Sequence, residues 1–433
     1  MRTHLSALLT VLTTFGAVHA WPADKDSAPP AADPRPAVLA FEKSLQLVPK
    51  KEDRIDAARK FFDGLTDPAV KIEAIGLFDD RYVYVVPGEV ASEVLGKLLK
   101  DADLKVRGRA AHALGYVGKG GEHFDDLVAL LKDADAAGLD GVLYAMGRAR
   151  DKRFLPYLKA QLKHADLAVR STAAFELTMY PAADVRDDIS ALLKDREPGM
   201  RAVAVQDLAQ LGDDADTPTI RAMLDDPSDV VRERTATTLG ARKGDETVKA
   251  LAAKLADPAP SVRAAAAFSL GQLKATAQRK AVESLLGDKD VVVRRYAAKA
   301  LGEMAEPAAR PALEAKLKDD DYMVRSFSLE SLAALADKAA AKAVATALTD
   351  PQADVRRAAA EALMRLKAAE SVPALLKLLD DADGRVSWMA ALAIGRLADR
   401  SVLPELRRRL AKAEGDLHEQ LDQSIREIEN RNP

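Results

Sequence analysis

The sequence predicts an all-α solenoid, a row of stacked helical hairpins, and three observations predict it. The first is a repeat. Along the pattern Asp-x-x-Val-Arg-x-x-Ala-Ala-x-Ala-Leu-Gly, arginines fall at Arg107, Arg170, Arg201, Arg232, Arg263, Arg294, Arg325 and Arg356. From Arg170 onward the step is 31 residues, Leu139 fills the slot before Arg170, and Ser387 and His418 continue the column. The second is composition: hydrophobic residues make up 48% of the 433 positions but aromatics only 5%. Large globular cores use aromatics freely because each buries so much area; Ala, Leu and Val suit closely spaced helices instead. The third is helical spacing in two segments per period. A hairpin of that size cannot bury its apolar face alone, so hairpins must stack.

The elements follow in chain order. Residues 1–20 begin with Arg2 and His4, continue uncharged from Leu5 to Val18, and end Val18-His19-Ala20. This predicts an export signal cleaved after Ala20, since the apolar run is short of the ~20 residues that span a bilayer. No twin-arginine pair is present, which favours the general secretory route. Residues 21–37 hold Pro22, Pro29, Pro30, Pro34 and Pro36 and predict an extended linker. Residues 38–91 predict a helical cap and a degenerate repeat, with Lys71 in the arginine column and Asp67-Pro68 as its turn. The run Tyr82-Val83-Tyr84-Val85-Val86 predicts a short strand or a packed loop.

The repeats proper span 92–413. First helices carry paired leucines, as in Val94, Leu95, Leu98 and Leu99, and open at in-phase prolines: Pro156, Pro218, Pro311, Pro373 and Pro404. Proline costs no hydrogen bond there. A turn follows, often Asp-Pro, and second helices start at caps such as Asp103, Asp166, Asp290 and Asp321. They are expected to end near one glycine column, Gly115, Gly147, Gly240, Gly271, Gly302 and Gly395, where helices can approach closely. The second unit, Ala136-Ala137-Gly138-Leu139-Asp140-Gly141, departs from the pattern; two glycines weaken a helix start, which reads as drift or as a flexible joint. Residues 414–433 predict a capping helix with the stripe Leu417, Leu421, Ile425 and Ile428. No later segment is apolar enough to span a membrane, so the mature chain is expected to be soluble.

The Asp-x-x-Val-Arg-x-x-Ala-Ala-x-Ala-Leu-Gly unit resembles the HEAT repeat. Its short period is similar to the HEAT-like subclass named after phycobilisome lyases, over roughly residues 92–413. The resemblance implies a right-handed armadillo/HEAT-like superhelix with second helices on the concave surface. It also implies a binder of other proteins more often than an enzyme, with Asp and Arg placed between successive repeats.

At 100° per residue, the arginine lies within the same arc as the alanines and leucine that face the core. The eight arginines therefore predict a structural ladder that meets acidic caps or carbonyls. Positions +2, +5 and +9 from the arginine face the other way. Of the 30 such positions in the ten units from Arg107 to Ser387, six are aromatic, Tyr116, Tyr144, Phe175, Phe268, Tyr296 and Phe327, although the whole chain has 20 aromatics. Met179 and Met389 join them and Trp388 flanks them; Arg109, Arg148, Arg234, Lys299, Arg365 and Arg396 outnumber Glu303, Glu330 and Glu361. This set is the candidate partner-binding face, either exposed or half-buried between crowded helices.

Catalytic readings find little support. There is no cysteine, and His112, His123, His164 and His418 lie in different units. His-Glu occurs once, at His418-Glu419, whereas HEAT-like deoxyhypusine hydroxylases use several such pairs for di-iron. No His-Glu-x-x-His, Gly-x-Ser-x-Gly or phosphate-binding glycine loop is present. A formal charge of −3 argues against a nucleic-acid partner. The expectation is an exported, periplasmic or secreted, non-enzymatic scaffold without cofactor, binding a protein or peptide on its concave face. The alternatives are recognition of an anionic envelope polymer by the basic residues and, further off, a HEAT-like lyase.

Overall fold

The computed structural model describes residues 34–78, 88–133 and 136–431. The expected signal at 1–20, most of the expected linker and the segment Tyr82–Val86 lie outside the described residues. Every regular element among the described residues is helical. The chain forms two compact units that divide between Ala145 and Met146.

One repeat shows how the sequence makes the hairpin. The first helix, Asp245–Ala253, tightens into a short 3-10 turn and stops at Asp257-Pro258. Pro260 opens the second helix, Pro260–Gln272, at a position whose N–H has no helical partner anyway. Leu251 and Leu255 of the first helix and Val262, Ala266 and Leu270 of the second are buried together. The in-phase prolines 156, 218, 311, 373 and 404 all lie in the first turn of a first helix. Asp103, Asp166, Asp290 and Asp321 each accept backbone N–H bonds as second-helix caps.

The second helices end near the glycine column, as expected, and the same glycines let the helices pack closely. A Cβ added at Gly271 would lie 2.7 Å from Ala300 Cα, and one at Gly115 would lie 2.8 Å from Ala145 Cα. The helices end beside these glycines, at Tyr116, Leu239, Gln272 and Met304 for example, and Gly118, Lys274 and Ala305, three positions after their glycines, take left-handed φ of 70°, 51° and 54°. The glycines of the irregular repeat, Gly138 and Gly141, are also packing devices, not drift. A Cβ at Gly141 would lie 2.2 Å from the Gly108 carbonyl oxygen, and one at Gly108 would lie 3.0 Å from Gly138 Cα. Two backbones meet at this crossing, and a side chain on either would force them apart.

The arginines build a ladder with a fixed rule. In six successive repeats the guanidinium grips, through two bonds of 2.7–3.0 Å, the aspartate 25 residues ahead: Arg201–Asp226, Arg232–Asp257, Arg263–Asp288, Arg294–Asp319, Arg325–Asp350 and Arg356–Asp381. Its remaining nitrogen, Nη1, reaches a carbonyl of its own turn six residues back, at 2.8–3.1 Å in these repeats. Asp226, Asp257, Asp288, Asp319 and Asp350 thus each take the previous arginine on the carboxylate, a turn N–H on the same group, and their own repeat's arginine on the carbonyl. Planar, bidentate pairing needs arginine in particular.

The ladder fades at its ends. Arg170 Nε stands 3.5 Å from Asp195. Arg107 keeps the turn carbonyl of Asp101 at 2.7 Å, but Lys132 fills the position 25 residues ahead. Lys71, in the arginine column of the degenerate repeat, pairs with Asp101 at 2.6 Å. Ser387 replaces the last arginine and donates to Gly384 O.

The two chain ends are closed differently. The first described helix, Arg35–Gln46, begins inside the stretch expected to be linker, because Pro34 and Pro36 occupy the cap and first turn, where proline is tolerated. Phe41 stacks on Phe61 at 3.8 Å and Phe62 on Phe78 at 5.3 Å, an aromatic cluster at the start of the array. At the other end Gly415–Asn430 buries Leu421, Ile425 and Ile428 against the preceding second helix. Among the described residues no helix is long and apolar enough to cross a membrane.

Candidate partner-binding face

From Leu167 to Leu397 consecutive second helices pack on one another, so each presents its +2, +5 and +9 residues beside those of its neighbours. The structure gathers some of the expected residues and separates others. Phe268 and Tyr296, on adjacent second helices, meet edge to face with centroids 5.5 Å apart and planes at 70°. Lys299 Nζ lies 5.1 Å above the Phe268 ring, a cation–π contact that orients both. Phe327 follows, half-buried, on the next second helix, Tyr322–Ala334. Tyr296 remains 38% exposed and Phe175 37%.

The remaining expected residues are distributed. Tyr116 and Tyr144 are half-buried in the first unit, where Tyr144 stacks on His112 at 4.4 Å and Arg109 Nη1 stands 3.4 Å from the same imidazole. In the second unit Arg234 donates to Gln206 at 3.1 Å, Arg148 stands 3.9 Å from Glu176, and Arg396 stands 3.4 Å from Glu427. Arg365 is exposed, and Trp388 is half-buried. Met389 is a correction: at 9% exposure it belongs to the core of Gly384–Leu397. Its +2 position lies at the margin of the face, where Ala265 and Ala358 are also covered by neighbouring helices.

The electrostatics are mixed. Burial pushes the Glu303 carboxyl above its ordinary value against the pull of Lys299. Burial, then the Glu361 charge, does the same at Glu330 against Arg357, Lys299 and Arg365. Lys299 and Arg365 therefore act on carboxyls that sequence counting treated as a minority. Among the described residues no three His, Cys, Asp or Glu side chains are grouped so as to hold a metal.

A family model for HEAT repeats matches residues 92–178, 155–240, 217–292, 248–333, 279–364 and 341–421. The chain belongs to the HEAT-repeat family. The solved Kap95:Nup1 complex contains a chain 12% identical to this one, covering 92% of this HEAT protein and 63% of that chain, with a TM-score of 0.55. YibA of E. coli is 23% identical over 56% of this chain and 92% of its own, with a TM-score of 0.46. The CpcE–CpcF phycocyanin lyase complex of Nostoc sp. PCC7120 is 22% identical over 54% of this chain and 91% of its own, with a TM-score of 0.34. These likenesses concern the fold. No curated protein matches the HEAT chain.

Proposed function

We propose that this HEAT protein is an exported, non-enzymatic scaffold that captures a protein or peptide on its second-helix face. The observation that carries the reading is the Phe268–Tyr296–Lys299 platform, a pair of rings held in place yet partly open to solvent. Preorganised aromatics beside basic groups are the usual anchors of protein recognition. The solved Kap95 relative, itself in complex with Nup1, uses the same fold in a protein assembly. Glu303, Glu330 and Glu361 among the basic residues favour a protein partner over an anionic polymer.

Replacing Phe268, Tyr296 and Phe327 together with alanine tests the reading. Helicity and melting temperature should stay near wild type while partner capture falls at least tenfold, and wild-type capture should change little with salt. A collapse in stability would place the rings in the core. Capture that falls steeply with ionic strength would indicate a polymer instead. Export is supported by residues 1–20. The intact mass of the protein from the cell envelope should correspond to a chain beginning at Trp21; a cytoplasmic chain retaining residues 1–20 would refute it.

A further inference from the structure

We propose that the Asp207 carboxyl is held protonated and donates to the Ala174 carbonyl, so that the joint between second helices Leu167–Leu177 and Pro198–Gln210 loosens as pH rises. The register comes first. Asp207 stands six residues after Arg201, and three other repeats place a serine at that position, Ser269, Ser331 and Ser424. Each of those serines donates across to the backbone carbonyl 33 residues earlier: Ser269 to Ala236 at 2.8 Å, Ser331 to Ala298 at 2.8 Å and Ser424 to Ala391 at 3.0 Å. The same 33-residue step taken from Asp207 leads to Ala174. A carbonyl can only accept, so a carboxyl in the serine's place completes the bond only when it carries its proton.

The surroundings supply no alternative. Asp207 is 2% exposed, and its Oδ2 accepts no hydrogen bond. Nearby charges are engaged elsewhere or make no contact with it. On the preceding second helix Arg170 holds its own turn carbonyls and Glu176 stands near Arg148. On its own helix Arg201 grips Asp226. On the following helix Arg232 grips Asp257 and Arg234 donates to Gln206, while Asp229 and Glu233 add only negative charge. From the first helices, Arg186 pairs with Asp213, Asp188 pairs with Lys159, and Asp184, Asp187 and Arg221 complete the set. Burial alone raises the Asp207 carboxyl to about 7, so its ionisation falls within ordinary physiological pH.

The sign follows from linkage. The native state holds this proton up to about pH 7, whereas the opened chain releases it near pH 4, so stability of the joint falls as pH rises between them. Hydrogen–deuterium exchange of the mature chain, corrected for intrinsic exchange, reads this directly. Amide protection in 170–177 and 201–208 should fall about tenfold per pH unit from pH 5 to pH 7 and level off above pH 8. Asp207→Asn and Asp207→Ser, which donate at any pH, should remove that dependence and match or exceed wild type at pH 7. A dependence that survives in both variants overturns the proposal, as does a ¹³C carboxyl shift of Asp207 that titrates in the ordinary aspartate range.

Discussion

Replacing Arg263 with alanine is expected to cost about 3–5 kcal/mol, because it leaves the largely buried Asp288 carboxylate without its cation. Both groups are nearly covered, at 10% and 9% side-chain exposure, and the two bonds between them are 2.8 Å. The variant also frees the Asp257 carbonyl that Arg263 Nη1 holds. Urea denaturation followed by circular dichroism should therefore show a transition at much lower denaturant, splitting in two if cooperativity across the array breaks at this rung. The double variant Arg263→Met, Asp288→Leu should recover most of the loss, since no charge is then stranded. A single variant costing under ~1 kcal/mol, the usual value of a surface pair, would show that the ladder is decorative.

The same ladder sets the acid limit. Hydrogen bonds from Arg201, Arg263 and Arg356 hold Asp226, Asp288 and Asp381 below the ordinary carboxylate range. At Asp257 and Asp319 burial pulls upward, but the arginine and backbone bonds outweigh it. Their stabilisation is complete above the unfolded value near 3.9 and disappears as pH falls through the lower folded values. The ladder therefore fails below about pH 4, well apart from the window in which Asp207 ionises.

Gly141→Ala should destabilise the first unit by about 1–3 kcal/mol, the usual cost of overpacking. Helix propensity alone predicts the opposite, a gain of about 1 kcal/mol from alanine. The structure decides the sign: the new Cβ would stand 2.2 Å from the Gly108 carbonyl oxygen, which cannot swing aside as a side-chain end would. His112 Cβ at 3.3 Å closes another direction. Thermal denaturation of the variant should show a lower melting temperature; a higher one would restore the reading of these glycines as drift.

These two results mark where the sequence was legible. A polar residue recurring every 31 positions must find the same partner each time, so the arginine column announced its ladder before any coordinates. The partner itself, 25 residues ahead in the next repeat, is invisible to a helical wheel, which describes one helix at a time. The same limit misplaced Met389, since its +2 position is open at Tyr296 and covered at Met389 by what the neighbouring helices supply. Glycine 141 reads as helix weakness until Gly108 is known to lie against it. Asp207 carries no sequence signal as one acid among 67, and becomes distinctive only when its serine-like register and burial are seen together.

The central claim, that the ring platform is a capture surface, is tested most directly by photo-crosslinking. A photoreactive amino acid at Tyr296 of the mature chain should give one defined adduct in the cell envelope, absent when the same group replaces Lys249 on a first helix. The adduct should also disappear when Phe268→Ala and Phe327→Ala are added and the protein remains folded. Equal labelling from Tyr296 and Lys249, or an adduct that persists without the two phenylalanines, would contradict the account.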